Sequence, residues 1–259
     1  MQSETDLKLL ELIKRGSATA KGGFKNEQDV VDKFNAWKTD EDAQKWLQVM
    51  GYNLKDIEKV RAVKITGSHK TDVQVEITIY FKKGTGIENV SIKLVSNDQG
   101  FNQIDKRWVD KYVELWGIPS DIAKNLKYFT GEMTPTKPNK NDPRRIFLTD
   151  LKEEEQNKMV DFFEKNKILI VADLFKGRDS FPASWLLLYQ KNIKVWTLLP
   201  MSVVMNFYGN GPVRITREGS LKIGRIGMQR KGGDNGRPSA TMLQFKINPC
   251  EIVKAPENG

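Results

Sequence analysis

From Asp72 to Tyr80 the chain alternates strictly: Val73, Val75, Ile77 and Ile79 take one face, and Asp72, Gln74 and Glu76 take the other. That period-two pattern predicts a strand with one buried face. The run from Val60 to Thr66 predicts a strand before it, and after the turn "KKGTG" the run from Val90 to Val95 predicts a third. Helical spacing marks Leu7 to Lys14, Glu27 to Trp37 and Asp40 to Met50, with Val30, Val31 and Phe34 on one side of the second segment. A helical pattern opens at "GFNQ" and predicts a helix over Asp105 to Trp116. Its aromatics, Trp108, Tyr112 and Trp116, fall with Leu115 on one side and suit a core better than a base-stacking surface.

The stretch from Gly131 to Arg145, "GEMTPTKPNKNDPRR", carries three prolines and four basic residues and predicts a loop or linker. Helices follow at Thr149 to Asn166 and Leu169 to Phe175. Short strands then cover Ser184 to Tyr189, Lys194 to Leu198, Val213 to Thr216, Leu221 to Met228 and Met242 to Ile247. No internal repeat is visible. The expected class is α/β. A mixed sheet flanked by helices would occupy residues 1–130, a basic Pro-rich linker residues 131–146, and a smaller strand-rich lobe residues 147–259.

Composition narrows the function. Lys and Arg number 42 against 33 Asp and Glu, a formal charge of +9, which points to a polyanionic partner, nucleic acid first. The lone cysteine, Cys250, excludes an internal disulfide and a Cys-rich zinc site. The lone histidine, His69, disfavours His-dependent metal sites and a Ser-His-Asp triad. No run reaches membrane-span length and the N-terminus lacks an apolar export core, so no membrane partner and a cytoplasmic location are expected.

The candidate chemistry lies between two of the predicted strands. Asp72 heads one, and Ser91 and Lys93 share a face of the next, with Ile92 pointing the other way. Phosphodiester hydrolysis needs a hard cation held by oxygen ligands, an oriented water, and a positive group beside the phosphate. Asp72 and the backbone carbonyl of Ile92 are suitable ligands, and Lys93 is a suitable cation. An ordinary strand-start Asp and a solvent-facing Lys explain the same residues, so the spacing alone does not decide.

The surrounding words carry a resemblance. "TD-x18-S-x-K" is similar to a variant of the PD-(D/E)xK nuclease motif. "GFKNEQDVVDKFNAWK" (Gly23 to Lys38), "KLVSNDQGFNQIDKRW" (Lys93 to Trp108), "FTGEMTP" (Phe129 to Pro135) and "QRKGGDNGRPSATMLQFKINP" (Gln229 to Pro249) resemble the HinP-type restriction endonucleases that cut GCGC. The motif arrangement resembles, more distantly, that of the MspI endonuclease. The resemblance runs from about Gly16 onward. It implies a PD-(D/E)xK nuclease core and a type II restriction endonuclease that cuts double-stranded DNA at a short G·C palindrome with Mg²⁺. It also implies a prokaryotic host protected by a cognate DNA methyltransferase, and leaves monomer and homodimer both open. By the same resemblance Asp72 is the metal ligand and Lys93 the catalytic lysine. Ser91 stands where most of the superfamily has Asp or Glu and the close family has Gln. Glu27 resembles the helix-borne glutamate that assists many such sites, with a plain surface residue as its alternative. Glu76 shares a face with Asp72 but lies four residues along, too far for the same metal.

DNA reading is expected from "GRIGMQRKGGDNGR" (Gly224 to Arg237), where Arg225, Arg230, Lys231 and Arg237 stand against one acid, Asp234. Arg and Lys suit guanine, and Asp suits the cytosine amine. Gln229 and Asn235 belong to the same set, and Gln244 and Lys246 alternate away from Leu243, Phe245 and Ile247. Phe101 would either wedge between base steps or staple a helix start to the core. Asn102, Gln103 and Lys106 would reach base edges or phosphates. Two other classes remain open on these residues: a DNA-binding protein with a decayed nuclease motif, and a nuclease that reads DNA structure.

Overall fold

The structure, a computed structural model, describes residues 26–65, 74–97, 99–178, 181–232 and 237–254. The helix expected over Leu7 to Lys14 lies outside them. The chain forms two compact units, Met1–Asp98 with Asp179–Met201, and Gln99–Arg178 with Ser202–Gly259.

The first unit holds helices α1 (residues 26–35) and α2 (Glu41–Val49), and a five-stranded sheet. Its strands are β1 (Ile57–Ile65), β2 (Gln74–Phe81), β3 (Gly84–Val95), β5 (Trp185–Gln190) and β6 (Val195–Pro200), in the spatial order β1-β2-β3-β5-β6. β3 pairs antiparallel with β2 and parallel with β5, and the other pairs are antiparallel, which makes the sheet mixed, as expected. The alternating face of β2, Val75, Ile77 and Ile79, is fully buried against Val30 and Phe34 of α1 and Leu47 of α2. Each such side chain contributes about 1.5–3 kcal/mol by leaving water. Asp40 caps α2 by accepting from the Ala43 amide at 2.9 Å.

β1 is an edge strand among the described residues, and an edge leaves backbone groups unpaired. Asn35 of α1 removes part of that cost. Its amide nitrogen donates to the Ala62 carbonyl at 3.2 Å, and its side-chain oxygen accepts from the Ala62 amide at 2.9 Å.

The second unit carries an antiparallel sheet in the order β4-β10-β9-β8-β7. Its strands are β4 (Asn102–Arg107), β7 (Val213–Ile215), β8 (Leu221–Ile223), β9 (Ile226–Arg230) and β10 (Leu243–Ile247). Helices α3 (Val109–Trp116), α4 (Ser120–Thr130), α5 (Glu153–Lys165), α6 (Lys167–Lys176), α7 (Met201–Gly209) and α8 (Cys250–Lys254) complete the described elements.

Four expectations change. The segment after Gly100 is a strand, and the helix starts only at Val109. Non-local forces decide this: β4 pairs with β10 more than a hundred positions away in sequence, and Asp105 is neutralised there. The run Leu221 to Met228 is a hairpin, because Gly224 takes φ +57° and turns the chain between β8 and β9. A side chain at Gly224 would meet the Tyr208 carbonyl oxygen at 2.6 Å. Helices α4 and α7 were not expected, although Ile122, Ala123, Leu126 and Phe129 have helical spacing and are buried. Finally, residues 131–146 lie inside the second unit and do not separate two lobes. The pairing of β4 with β10 draws the start of this unit to its end.

A buried ion network ties these elements together. Asp105 accepts from the Tyr112 hydroxyl at 3.2 Å and pairs with Arg107 at 3.3 Å. Arg107 reaches Asp173 of α6 at 3.5 Å, and Asp173 also holds Arg178 at 3.1 Å and the Trp116 indole N–H at 2.8 Å. Tyr112 and Trp116 stack at 4.4 Å, and both meet Phe245 of β10 edge-on. The two rings are core residues as expected, while Trp108 is partly exposed.

Asn35→Ala leaves two backbone groups of Ala62 without partners, and Ala62 is only 3% exposed. Urea unfolding is expected to show a loss of about 1–3 kcal/mol with an unchanged denaturant slope.

Candidate functional site

In the first unit, β3 delivers the expected pair. Ser91 and Lys93 are both buried, at 5% and 8% exposure, and lie two residues apart on one strand face. Ile92 between them packs against the apolar core, as the alternation requires. Ser91 sits opposite Gln74 of β2 and beside Leu186 of β5. Lysine is rarely buried this fully without a function or an ion partner. The same strand is anchored further back by Glu88, whose carboxylate accepts from the Tyr52 hydroxyl and from the Trp185 indole, each at 2.7 Å. Burial, and then the Glu88 hydrogen bond, push the Tyr52 phenol upward, so it stays protonated as the donor.

Asp72 lies outside the described residues, as do Asp234 and Asn235. Glu27, on α1, pairs with Lys64 of β1 at 2.7 Å. Glu76 is half-buried on β2. Among the described residues no three His, Cys, Asp or Glu side chains gather to hold a metal. The donors on β3 are the Ser91 hydroxyl and the Ile92 carbonyl. Both are oxygen donors, the kind a hard cation such as Mg²⁺ takes.

In the second unit the sheet has two unlike faces. Phe245 and Asp105 look towards α3. On the other face Lys106, Gln244 and Gln229 stand directly opposite one another across β4, β10 and β9, and Gln103 stands opposite Lys246. A bulge in the β4–β10 ladder lets Gln103 and Lys106, three apart, share that face. Lys246 has its pKa lowered, by burial first and then by Lys231, so two cations crowd this side. Gln244 is committed locally: it is 2% exposed and donates to the Arg230 and Lys231 carbonyls, both at 3.2 Å. Asn102 is half-buried opposite Ile247, at the end of the ladder.

Phe101 is 59% exposed and precedes a strand, so it does not staple a helix to the core. It borders a cavity of about 420 Å³ with Arg214, Lys222 and Arg225. Arg225, at the β8–β9 turn, lies 4.4 Å over the Phe207 ring.

Arg230 departs from the expected set. It pairs with Leu243, one position along from Gln229, so it projects to the other side of the sheet. There it meets Arg144 and Arg145, which lie in the segment expected to be a linker. Asp142 joins them. It binds Arg144 at 2.8 Å and Arg145 at 2.9 Å, and lies 4.0 Å from Arg230. The Arg144 hydrogen bond, with help from Arg145, holds the Asp142 carboxyl down to about 2. The signal available in sequence was "DPRR", an acid followed closely by two arginines.

Comparison with known proteins bears on the family and the fold. The model of the R.HinP1I restriction endonuclease family matches residues 50–253. A crystal structure of the restriction endonuclease MspI in complex with its cognate DNA superposes with a TM-score of 0.60. That alignment covers 95% of this chain and 100% of that one at 15% identity, a likeness of fold. Comparison with curated proteins gives no match.

The depressed Asp142 pKa sets a sign for stability against pH. A carboxyl held below its ordinary value stabilises the fold above that ordinary value, near 3.8, and loses the effect as pH falls towards about 2. Asp142→Asn is therefore expected to lower the melting temperature at neutral pH. The gap from wild type should narrow between about pH 4 and pH 2, as followed by circular dichroism.

Proposed function

The chain belongs to the R.HinP1I restriction endonuclease family, and from that premise we propose that it cuts double-stranded DNA at GCGC with Mg²⁺. Family membership makes it a type II site-specific deoxyribonuclease. The observation that carries the catalytic assignment is the buried Lys93 sharing a strand face with Ser91 at the position of the nuclease motif.

In this reading water adds to the phosphorus of a backbone diester and one P–O ester bond breaks, leaving a phosphomonoester and a hydroxyl. Lys93 places its ammonium beside the phosphate oxygens, where negative charge gathers as the water adds. Burial strengthens that interaction, because little water screens it. The Ser91 hydroxyl orients the attacking water. Asp72 and the Ile92 carbonyl would hold Mg²⁺, which when bound supplies Lewis-acid stabilisation and a more acidic water. Glu27 is the weaker contributor, since Lys64 already balances its charge.

The second unit supplies candidates for recognition. Gln103, Lys106, Gln229 and Lys246 share one sheet face, and exposed Phe101 and Arg225 border a basic cavity. MspI was crystallised with its cognate DNA, which supports a duplex as the ligand here. Arg or Lys on this face suits guanine O6 and N7, and glutamine suits base-edge amides. The residues Asp234 and Asn235 extend the same proposal.

Incubation of unmethylated plasmid with protein and Mg²⁺ is expected to yield discrete fragments ending at GCGC, and none after methylation of that site. A smear, or cutting only at branched DNA, would overturn the site assignment. Asp72→Ala and Lys93→Ala should abolish cleavage while leaving duplex affinity in Ca²⁺ largely intact. Ser91→Ala should slow single-turnover cleavage roughly ten- to a hundred-fold, about 1.4–2.8 kcal/mol of barrier, because a hydroxyl positions a neighbour without adding charge. A wild-type rate for Ser91→Ala would remove the serine from the mechanism.

A further inference from the structure

A second basic cavity of about 490 Å³ lies in the second unit, bordered by Arg144, Arg145, Arg230 and Arg237 with Asp142 as the one carboxylate among its described lining residues. Among the described lining residues four guanidinium groups thus share one compensating charge. Asp142 is already engaged by Arg144 through two nitrogens, at 2.8 and 3.2 Å, and by Arg145. Arg230 is left with the remainder. Its side chain is only 10% exposed, its nearest approach to Asp142 is 4.0 Å, and its Nε is buried without a hydrogen-bond partner among the described residues. Burial, then repulsion from Arg144 and Arg145, lowers its pKa.

A guanidinium held in this way is a standing cost in the free protein. The surroundings nevertheless keep it in place. The Arg145 guanidinium stacks over the Phe147 ring at 4.7 Å and the Phe129 ring at 5.7 Å. Gly131, with φ +80°, has the Arg144 carbonyl oxygen only 2.9 Å from where a Cβ would sit, so the loop folds back tightly at this point. The result is a group of arginine side chains held around a cavity that is open to solvent on one side. Arginine forks match the oxygens of a phosphate, and a desolvated site strengthens the match.

We infer that this arginine cavity is a phosphate-binding site that takes a backbone phosphate of the duplex. It is separate from the sheet face of Gln229 and Lys246, and it moves Arg230 from reading bases to fixing the register of the protein on DNA. The duplex as source rests on the proposed DNA cleavage; the affinity of the cavity for phosphate does not.

The test uses Arg230→Met, which removes the buried charge at similar length, and Arg144→Ala, at an exposed position. Duplexes with and without GCGC are titrated in Ca²⁺ over a range of salt. Each variant is expected to weaken binding to both duplexes about tenfold and to flatten the slope of log Kd against log salt by about one. In a DNA-free arm, phosphate at matched ionic strength should raise the melting temperature of the wild type and not that of Arg230→Met. Without phosphate, Arg230→Met should melt no lower than wild type, and a lower value would make the guanidinium structural and overturn the inference. Loss confined to the GCGC duplex, with the slope unchanged, would make Arg230 a base reader. Phosphate stabilisation with unaltered duplex binding would leave a free-phosphate site and overturn the backbone assignment. A wild type that binds no DNA would instead sink the proposed function, and the phosphate arm would then decide the cavity by itself.

Discussion

Asp105 and Asp173 are buried carboxylates that share Arg107, and the second unit is arranged around that neutralisation. A charge taken out of water is tolerated only when it is paired and hydrogen-bonded. Here the pairing draws in three elements and the loop after one of them: β4 brings Asp105 and Arg107, α3 brings Tyr112 and Trp116, α6 brings Asp173, and Arg178 follows α6. Their joint burial sets β4 as a strand beside β10. With one face of β4 tied to α3, Gln103 and Lys106 are turned to the other face, next to Lys246 and Gln244. A structural ion network on one side of a sheet thereby positions a polar surface on the reverse side.

The same constraint separates residues of one charge into different roles. Arg107 and Arg178 are matched by acids inside the fold. Arg144, Arg145 and Arg230 share a single Asp142, so the balance there stays positive. The excess of cations over the whole chain is therefore unevenly spread. Part of it is concentrated where donors are fixed by stacking and by a close backbone approach, and that is the condition for strong recognition of an oxyanion.

On β3 the issue is one charge fewer. In the proposed reading Ser91 takes the motif position that the resemblance assigns to an acid across the superfamily and to an amide in the close family. On that proposal a neutral hydroxyl would leave metal binding to depend mainly on Asp72 and would place more of the electrostatic work on Lys93. The strand suits that demand. It lies inside the sheet, paired on both sides with β2 and β5, and Glu88 ties it to Tyr52 and Trp185. Rigid support of this kind limits the reorganisation needed when charge develops on a substrate.

The alternating strand through Val75, Ile77 and Ile79 and the face shared by Ser91 and Lys93 were legible in the sequence, because side-chain direction along a strand follows from local geometry alone. Helices α1 and α2 were legible for a similar reason: Val30, Val31 and Phe34 repeat at helical spacing, and Asp40 is a local cap. The family, too, was visible in linear words such as the run from Gln229 to Pro249. What the sequence could not determine depends on partners far away in the chain. Whether 102–107 is helix or strand was decided by β10, and the place of 131–146 within a unit was decided by contacts at both of its ends. The side of the sheet on which Arg230 emerges was decided by its register with Leu243. Arg144 and Arg145 belong to a cavity only because the chain folds back over Gly131 to meet Arg230. Charge can be counted from the sequence, but desolvation and pairing exist only once the tertiary structure has brought the groups together.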